Sequence, residues 1–370
     1  MKNNSIIKRI FILLLTALLT IGFSAPAFAA ETAEQKAERI LSKMSTDEKI
    51  AQMMVVAMPS EKAAAVQKKH QFGGYILFGG NFAGTDSKGM KKLVRSCQRS
   101  SKVPMLMGTD EEGGTVVRAS FYKRYRKSRY RSPRQVYRSG GYKGITKDTG
   151  NKDAFLRSLG LNCNFAPVAD VPYRRSDFMY QRAFSTNVGG VSRFIKLSVK
   201  RMRKDDIVSV LKHFPGYGDN GDTHGRIIRD RRPRSAFVTR DLKPFEAGIQ
   251  SGADMIMVSH TIVNAFDKKN PASLSPAVHE YMRKNMGFGG VIITDGLGMK
   301  GVTDFVGGDS GKAAVRAVRA GNDMLCVTTD YSRCLSAIKK AAAGGDISQK
   351  QIDDSVKRIL LMKIRRGIIK

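Results

Sequence analysis

The most informative segment of the chain is a glycine-rich loop that ends in an Asp-x-His pair. It reads Lys-His-Phe-Pro-Gly-Tyr-Gly-Asp-Asn-Gly-Asp-Thr-His from Lys212 to His224. A carboxylate beside a histidine fixes the tautomer of the imidazole and suits the ring for proton transfer near neutral pH. An isolated pair of this kind is usually an ordinary surface pair. The whole string, however, predicts that Asp222 and His224 exchange protons with a substrate.

Other polar residues stand where apolar runs of the sequence end. Lys212 and His213 close one such run, and both side chains can donate hydrogen bonds to a ligand. The carboxyl ends of parallel strands meet at one face of a barrel, and active sites gather there. Five positions with this placement predict a single site at that face. The remaining four are Asp110, Asp170, His260 and Asp295.

Short aliphatic and β-branched runs alternate with amphipathic stretches, which is typical of repeated β-α units and a parallel sheet. Their continuous apolar character favours strands that are buried on both faces. Eight runs are present, so we predict one α/β domain, a (β/α)8 TIM-like barrel over residues 31–370. The predicted strands are Met54–Ala57, Tyr75–Phe78, Pro104–Asp110, Cys163–Asp170, Val208–Phe214, Met255–His260, Val291–Gly296 and Met324–Thr329. Predicted helices include Ser87–Arg99, Val191–Lys204, Asp241–Ser251, Ser275–Asn285 and Lys312–Ala320.

The Lys212–His224 string closely resembles the signature of glycoside hydrolase family 3, in its β-N-acetylglucosaminidase branch. The resemblance runs from about Leu41 to the C-terminus, and further segments match in the same order. Family members of other specificity take their acid/base from an additional C-terminal domain, for which we expect this chain to be too short. The further matching segments are Lys43–Met53, Asp110–Arg118, Leu159–Val171, Gln181–Ser185 and Gly290–Met299.

The resemblance implies a retaining exo-glycosidase and a role for each matching residue. Asp295 is the implied nucleophile, and His224 with Asp222 is the implied acid/base pair. An aspartate at a strand end can attack an anomeric carbon and form a covalent glycosyl-enzyme. Side chains cover both halves of that displacement, so we expect no cofactor and no metal. The residues implied to hold the hydroxyls of the terminal sugar are Asp110, Arg182, Lys212 and His213.

The implied substrate is terminal β-linked N-acetylglucosamine in cell-wall muropeptides or chitin-type oligosaccharides. Two alternatives stay open: a β-glucosidase-like exoglycosidase of the same family, and a weakly active cell-wall-binding protein. Two departures from the family pattern bear on substrate fit. Gly296 stands where a second acidic residue often follows the nucleophile, and the segment after Arg118 is unusually basic.

The chain is strongly cationic, with 64 Lys and Arg residues against 32 Asp and Glu residues and a formal net charge of +32. Eight of these cationic residues are concentrated in residues 117–134, which contain no acidic residue. A polyanionic cell envelope would attract such a protein in a salt-dependent way. A solvated basic loop without a dedicated partner is the alternative. We expect no nucleic-acid binding, because no helix-turn-helix, zinc-finger or RNP-like pattern is present.

Residues 1–30 combine a charged start, an apolar stretch and a small-residue end, as secretory signals do. We therefore predict an exported protein, secreted or associated with the cell wall, with no integral membrane span in the mature chain. An uncleaved anchor is the alternative.

The four cysteines lie far apart, so we expect buried free thiols. His70 and His279 are interpreted as surface residues. For His260, at the end of a predicted strand, two interpretations stay open: its side chain lines the pocket, or it lies outside the pocket.

Overall fold

The computed structural model describes residues 31–328 and 330–370. The predicted signal segment and Thr329, the end of the last predicted strand, lie outside the described residues. All eight predicted strand regions contain a strand, and two further two-residue strands are present. The strands are β1 Met54–Ala57, β2 Gly74–Leu77, β3 Leu106–Thr109, β4 Cys163–Asn164, β5 Val208–Phe214, β6 Arg229–Asp230, β7 Met255–Val258, β8 Ile262–Val263, β9 Val291–Thr294 and β10 Leu325–Val327.

Eight of the strands form one parallel sheet in the order β10-β1-β2-β3-β4-β5-β7-β9. A parallel bridge between Ile293 and Met324 joins the two ends of this sheet. The sheet therefore closes into a barrel, and the predicted (β/α)8 TIM-like fold is confirmed. The short strands β6 and β8 pair with each other outside the barrel sheet.

Helices separate the strands, as expected for a barrel of β-α units. The predicted helix Ser87–Arg99 has the predicted bounds, and the capping box at Ser45 is present, with Ser45 and Glu48 bonded to each other's backbone amides. The α-helices are Ala33–Leu41, Thr46–Gln52, Ala63–His70, Gly79–Ala83, Ser87–Arg99, Pro133–Ser158, Val188–Lys204, Arg234–Ala236, Leu242–Gln250, Pro276–Glu280, Lys300–Phe305, Ser310–Ala320, Tyr331–Ala343 and Gln349–Arg365. Single turns of 3-10 or π type cover Phe178–Gln181, Phe237–Asp241, Ala272–Leu274 and Tyr281–Asn285.

The barrel strands are buried, which accounts for their continuous apolar character. Every residue of β5 is buried, including the polar pair Lys212 and His213 at its end. A Cβ on Gly108 in β3 would lie 2.7 Å from the ring of Phe165 and 2.9 Å from Cβ of Cys163. Only glycine therefore lets β3 approach β4 this closely, and that approach sets the position of Asp110, two residues further on.

One histidine differs from the sequence interpretation. The prediction that His279 is a surface residue was wrong, because it is 3% exposed and its Nδ1 donates to the Ser275 carbonyl at 2.8 Å. His70 is half-buried and stacks on Phe72 with ring centroids 5.3 Å apart.

All four cysteines are buried free thiols, as predicted: Cys97, Cys163, Cys326 and Cys334. Within residues 31–328 and 330–370, no helix combines the length and apolar character needed to span a bilayer.

Candidate active site

A cavity of about 770 Å³ opens at the carboxyl ends of the barrel strands. Its volume is in the range of about 300–1,000 Å³ that is common for ligand sites. All seven residues to which the sequence analysis gave a catalytic or sugar-binding role line this one cavity, although they are spread over 185 positions of the chain, from 110 to 295. They are Asp110, Arg182, Lys212, His213, Asp222, His224 and Asp295.

The deep side of the cavity holds a buried network of charges. Nζ of Lys212 donates to Oδ1 of Asp110 at 2.7 Å and lies 2.7 Å from Oε1 of Glu112. Arg182 forms two hydrogen bonds with Glu112, Nη2 to Oε1 at 2.7 Å and Nε to Oε2 at 3.1 Å. A bidentate arginine–carboxylate pair fixes the guanidinium plane, so Glu112 orients both cations.

Burial and pairing oppose each other in this network. Burial favours the neutral form of Glu112, but the charges of Arg182 and Lys212 outweigh it and hold the pKa of Glu112 well below its usual range. Burial also favours a neutral Lys212, yet Asp110 and Glu112 overcome it and raise the pKa of Lys212. Both groups are therefore charged at neutral pH, and their hydrogen-bonding directions are fixed.

His213 is held in one orientation by groups on both sides of its ring. Its Nδ1 lies 2.8 Å from Oδ2 of Asp170, and its Nε2 lies 3.2 Å from Nη2 of Arg182. Because a guanidinium only donates, Nε2 accepts and Nδ1 carries the proton that is donated to Asp170. Asp170 also accepts the backbone amides of His213 at 3.1 Å and Tyr217 at 2.8 Å. It is thus a positioning residue beneath the cavity.

Asp295 follows β9 directly, and its side chain enters the cavity from the end of that strand. Its Oδ1 accepts the Gly296 amide at 2.7 Å. Burial alone raises the pKa of a carboxyl group, but His213, His260 and the Gly296 amide outweigh it and lower the pKa of Asp295 below the ordinary value. The carboxylate is therefore ionised at neutral pH, which is the form in which it can act as a nucleophile.

His260 supports the residue after Asp295. It is completely buried, and it does not belong to the lining of the cavity. Its Nε2 donates to the Gly296 carbonyl at 3.0 Å, and its Nδ1 lies 2.7 Å from the Ser273 hydroxyl. Burial lowers the pKa of His260, so the ring is neutral at neutral pH. Of the two open interpretations, the structure favours a positioning residue over a pocket-lining one.

The loop after β5 carries the Asp-x-His pair to the mouth of the cavity. Nδ1 of His224 lies 2.5 Å from Oδ1 of Asp222, which also accepts the His224 amide at 2.9 Å. The Tyr217 hydroxyl lies 2.6 Å from that of Thr223, and the Lys300 amide donates to the His224 carbonyl at 3.1 Å. The first contact lies within the loop, and the second ties the loop to the segment after Asp295. Both side chains remain open to solvent, 62% exposed for His224 and 45% for Asp222.

Sequence reasoning missed the part played by Glu112. The residue was visible in the acidic run Asp110-Glu-Glu, but nothing in that run distinguishes it from its neighbour. Glu111 points away from the site and accepts from Ser120 and the amides of residues 118–120. The acidic run itself was the only available signal in the sequence.

Comparison with known proteins gives one consistent result. The model of the glycosyl hydrolase family 3 N-terminal domain matches residues 45–362. A β-hexosaminidase of Methylococcus capsulatus is 34% identical over 261 residues, covering 69% of this chain and 75% of that protein. The β-hexosaminidase LpqI of Mycobacterium tuberculosis is 29% identical over 331 residues, covering 86% of this chain and 83% of that protein.

A solved structure agrees with these relatives. A family 3 β-N-acetylglucosaminidase from Paenibacillus sp. superposes with a TM-score of 0.81 at 28% identity, covering 88% of this chain. The match spans 64% of the Paenibacillus chain, which is less than two thirds of its length. The barrel, the placement of the motifs around its mouth and the match over residues 45–362 lead to one assignment: the chain belongs to glycosyl hydrolase family 3.

Proposed function

We propose that this chain is a retaining exo-glycosidase that hydrolyses terminal β-linked N-acetylglucosamine. The observation that carries the proposal is that one cavity contains both an ionised carboxylate at a strand end and an Asp-His pair on the loop after β5. The relatives that bear the name β-hexosaminidase support the same class of reaction.

In the first proposed step, a carboxylate oxygen of Asp295 attacks the anomeric carbon of the terminal sugar. The bond from that carbon to the leaving oxygen breaks, and Nε2 of His224 gives its proton to the leaving oxygen. The products are a covalent glycosyl-enzyme and the shortened glycan. Asp222 accepts the hydrogen bond of Nδ1, so it orients the ring and leaves Nε2 directed towards the substrate.

In the second step, Nε2 of His224 takes a proton from water while the water oxygen attacks the anomeric carbon. The bond between sugar and Asp295 breaks, the free sugar leaves with retained configuration, and the carboxylate is restored. Within the described part of the chain, Nε2 of His224 has no hydrogen-bond partner, as both proton transfers require. Side chains supply every group in this sequence, so the proposal includes no cofactor and no metal.

Binding of the sugar is assigned to the charged network on the deep side of the cavity. Asp110 and Lys212 offer an acceptor and a donor to neighbouring hydroxyls, and Arg182 and His213 extend the set. Glu112 and Asp170 hold these groups in place before the substrate arrives. Preorganised charges of this kind avoid much of the reorganisation that water would need during the reaction.

We further propose export of the protein and association with an anionic cell wall, where muropeptides or chitin-type oligosaccharides serve as substrates. Outside the signal segment the chain retains its large excess of positive charge. Such a field attracts polyanions and weakens as salt rises.

Comparative rates test the proposal. We expect turnover of an aryl N-acetyl-β-glucosaminide at pH values from about 5 to 8 and a rate on the matching β-glucoside at least about tenfold lower, since one well-used polar contact contributes on the order of 1.4 kcal/mol. A faster glucoside rate would favour the β-glucosidase alternative. Folded protein without turnover on either substrate would favour the wall-binding alternative.

A further inference from the structure

We propose that an acidic glycan strand binds in a surface groove beside helix Val188–Lys204, outside the catalytic cavity. The groove combines two surface pockets that meet at Arg193. One part, of about 440 Å³, is lined by aromatic and polar side chains that include Tyr137 and Phe184. The other, of about 670 Å³, is lined by cationic side chains of the helix. That the ligand is a glycan rests on the proposed function, whereas the existence of the site does not.

The aromatic part offers a flat ring that is open on one side. Tyr137 is 39% exposed, and its ring is packed edge-on by Tyr142 at 4.7 Å and by Phe184 at 5.3 Å between centroids. Exposed aromatic side chains of this size are uncommon in the chain, where only four large hydrophobic side chains among the described residues are classed as exposed. A pyranose ring has an apolar C–H face and a polar rim, so an amphipathic tyrosine suits it.

The backbone places this ring. Helix Pro133–Ser158 breaks at Gly141, whose φ of 57° and ψ of −154° lie outside the helical region. A side chain at this φ would be strained, so glycine permits the break. The break lets Tyr137 and Tyr142, on either side of it, turn their rings towards each other. Arg134 fixes the facing segment, since it donates to the carbonyls of Tyr180, Ala183 and Phe184.

The cationic part supplies charge without counter-charge. Lys196 and Lys200 line the cationic part and Arg138 lines the aromatic part, and within the described residues none of the three lies within 4.0 Å of a carboxylate. Arg193 joins the two parts, because it lines the cationic part while its guanidinium stacks on Tyr142 at 4.1 Å from the ring centroid. A ligand that carries sugar rings and anionic groups in one strand satisfies both halves of the groove.

The groove lies behind the segment that carries Arg182. Tyr180 and Phe184 face the groove, whereas Phe178 and Arg182 face the catalytic cavity. A strand held in the groove is therefore kept close to the cavity, and its chain ends are presented to the enzyme at a raised local concentration.

The test measures binding of soluble, peptide-free peptidoglycan strands, which carry carboxylates, to the full chain. Asp295→Asn is included in all binding variants so that the strands are not shortened. Tyr137→Ala tests the ring, and the triple change of Arg138, Lys196 and Lys200 to Gln tests the charge. The matched control is the triple change of Lys88, Lys91 and Lys92 to Gln. These three side chains project from helix Ser87–Arg99 and, like the groove cations, have no carboxylate partner among the described residues.

We expect the dissociation constant to rise at least about fivefold with Tyr137→Ala and with the groove triple variant, and less than about twofold with the control triple variant. In the background with Asp295 intact, kcat/KM on an aryl N-acetylglucosaminide stays within about twofold for all of them. That activity reports on the proposed function separately from the binding.

Three outcomes would overturn the proposal. Equal weakening by the groove and control triple variants would show a diffuse charge effect. Normal affinity of Tyr137→Ala would remove the aromatic platform. Tighter binding of inorganic polyphosphate or of a single-stranded oligonucleotide than of the glycan, at the same salt concentration, would assign the groove to a different polyanion.

Discussion

Asp295 is the residue on which the proposed displacement depends. It is held by one backbone amide and belongs to the cavity lining, so it contributes little to the barrel core. We predict that Asp295→Ala lowers kcat by at least about a thousandfold, or roughly 4 kcal/mol of barrier, with the melting temperature unchanged within a few degrees. Steady-state assays on an aryl N-acetylglucosaminide and thermal melts measure this. Residual activity within about tenfold of the unchanged protein would exclude Asp295 as the nucleophile.

His224 and Asp222 are tested by the leaving group. Protonation matters most when the departing oxygen is a poor leaving group. We predict that His224→Ala lowers cleavage of a natural disaccharide at least about a hundredfold, and cleavage of an activated aryl glycoside by about tenfold or less. Asp222→Ala follows the same trend more weakly, because it only orients the ring.

The ratio of the two rates is the decisive quantity. Equal losses on both substrates would mean that His224 serves binding or folding, and the acid/base would lie elsewhere. His260 would then be a poor replacement, since both of its ring nitrogens are occupied by Ser273 and Gly296.

Glu112 is the buried anion that holds two cations. Replacing one member of a buried ion pair leaves uncompensated charge, so we predict that Glu112→Gln destabilises the fold by about 2–4 kcal/mol. We also expect a rise in KM, because Lys212 and Arg182 lose their common anchor. Denaturant titration and steady-state kinetics measure the two effects. Glu280→Gln is the control: it breaks an exposed 2.6 Å pair with Lys284, and such solvent-exposed pairs contribute little to stability. Similar values for both variants would contradict the assigned role of Glu112.

At the scale of single elements, the sequence predicted helix bounds best where a clear amphipathic pattern follows a capping residue. Helix Ser87–Arg99 has a clear amphipathic pattern and an Asp86 cap, and its bounds were found. Helix Val188–Lys204 begins three residues before its prediction, because Asn187 caps it through the Gly190 amide and the two glycines after Val188 resemble a loop. Predicted helix Ser275–Asn285 divides into Pro276–Glu280 and a π-type turn, a change of hydrogen bonding that periodicity does not reveal.

Helix Pro133–Ser158 was not predicted, because its several glycines and its basic start hide any apolar period.

One residue of this helix, Asp153, leads to a testable prediction. Asp153 is completely buried against helix Val188–Lys204, and neither carboxylate oxygen has a hydrogen-bond partner among the described residues. Burial, together with nearby Asp205, raises the pKa of Asp153 from 3.8 to about 8.

The sign of the resulting pH dependence follows from this pKa. A carboxyl group with a higher pKa in the folded state binds a proton on folding, so stability falls as pH rises from about 4 to 8 and then levels off. We predict that Asp153→Asn removes this fall, so that the melting temperature of the variant exceeds that of the unchanged protein more at pH 8 than at pH 5. Asp354→Asn, at an exposed 2.7 Å pair with Lys350, is the control. A difference in melting temperature between Asp153→Asn and the unchanged protein that stays the same across this pH range would contradict the account.

At the scale of the whole molecule, the barrel made the site predictable. Once parallel β-α units are recognised, the residues after the strands must meet at one face, and so Asp110, Lys212 and Asp295 could be grouped without a structure. The pairing of those residues could not be predicted in the same way. The contact between Lys212 and Asp110 spans 102 positions, and nothing local in the sequence selects it over other pairs of opposite charge.

The anomeric form of the first sugar released tests the central claim most directly. Hydrolysis of an aryl N-acetyl-β-glucosaminide, whose leaving group has no anomeric centre, is followed by proton NMR during the first minutes, before the free sugar equilibrates. A double displacement through Asp295 predicts that β-N-acetylglucosamine appears first and the α form later, by mutarotation. Initial release of the α anomer, or no release of N-acetylglucosamine from folded protein, would contradict the account.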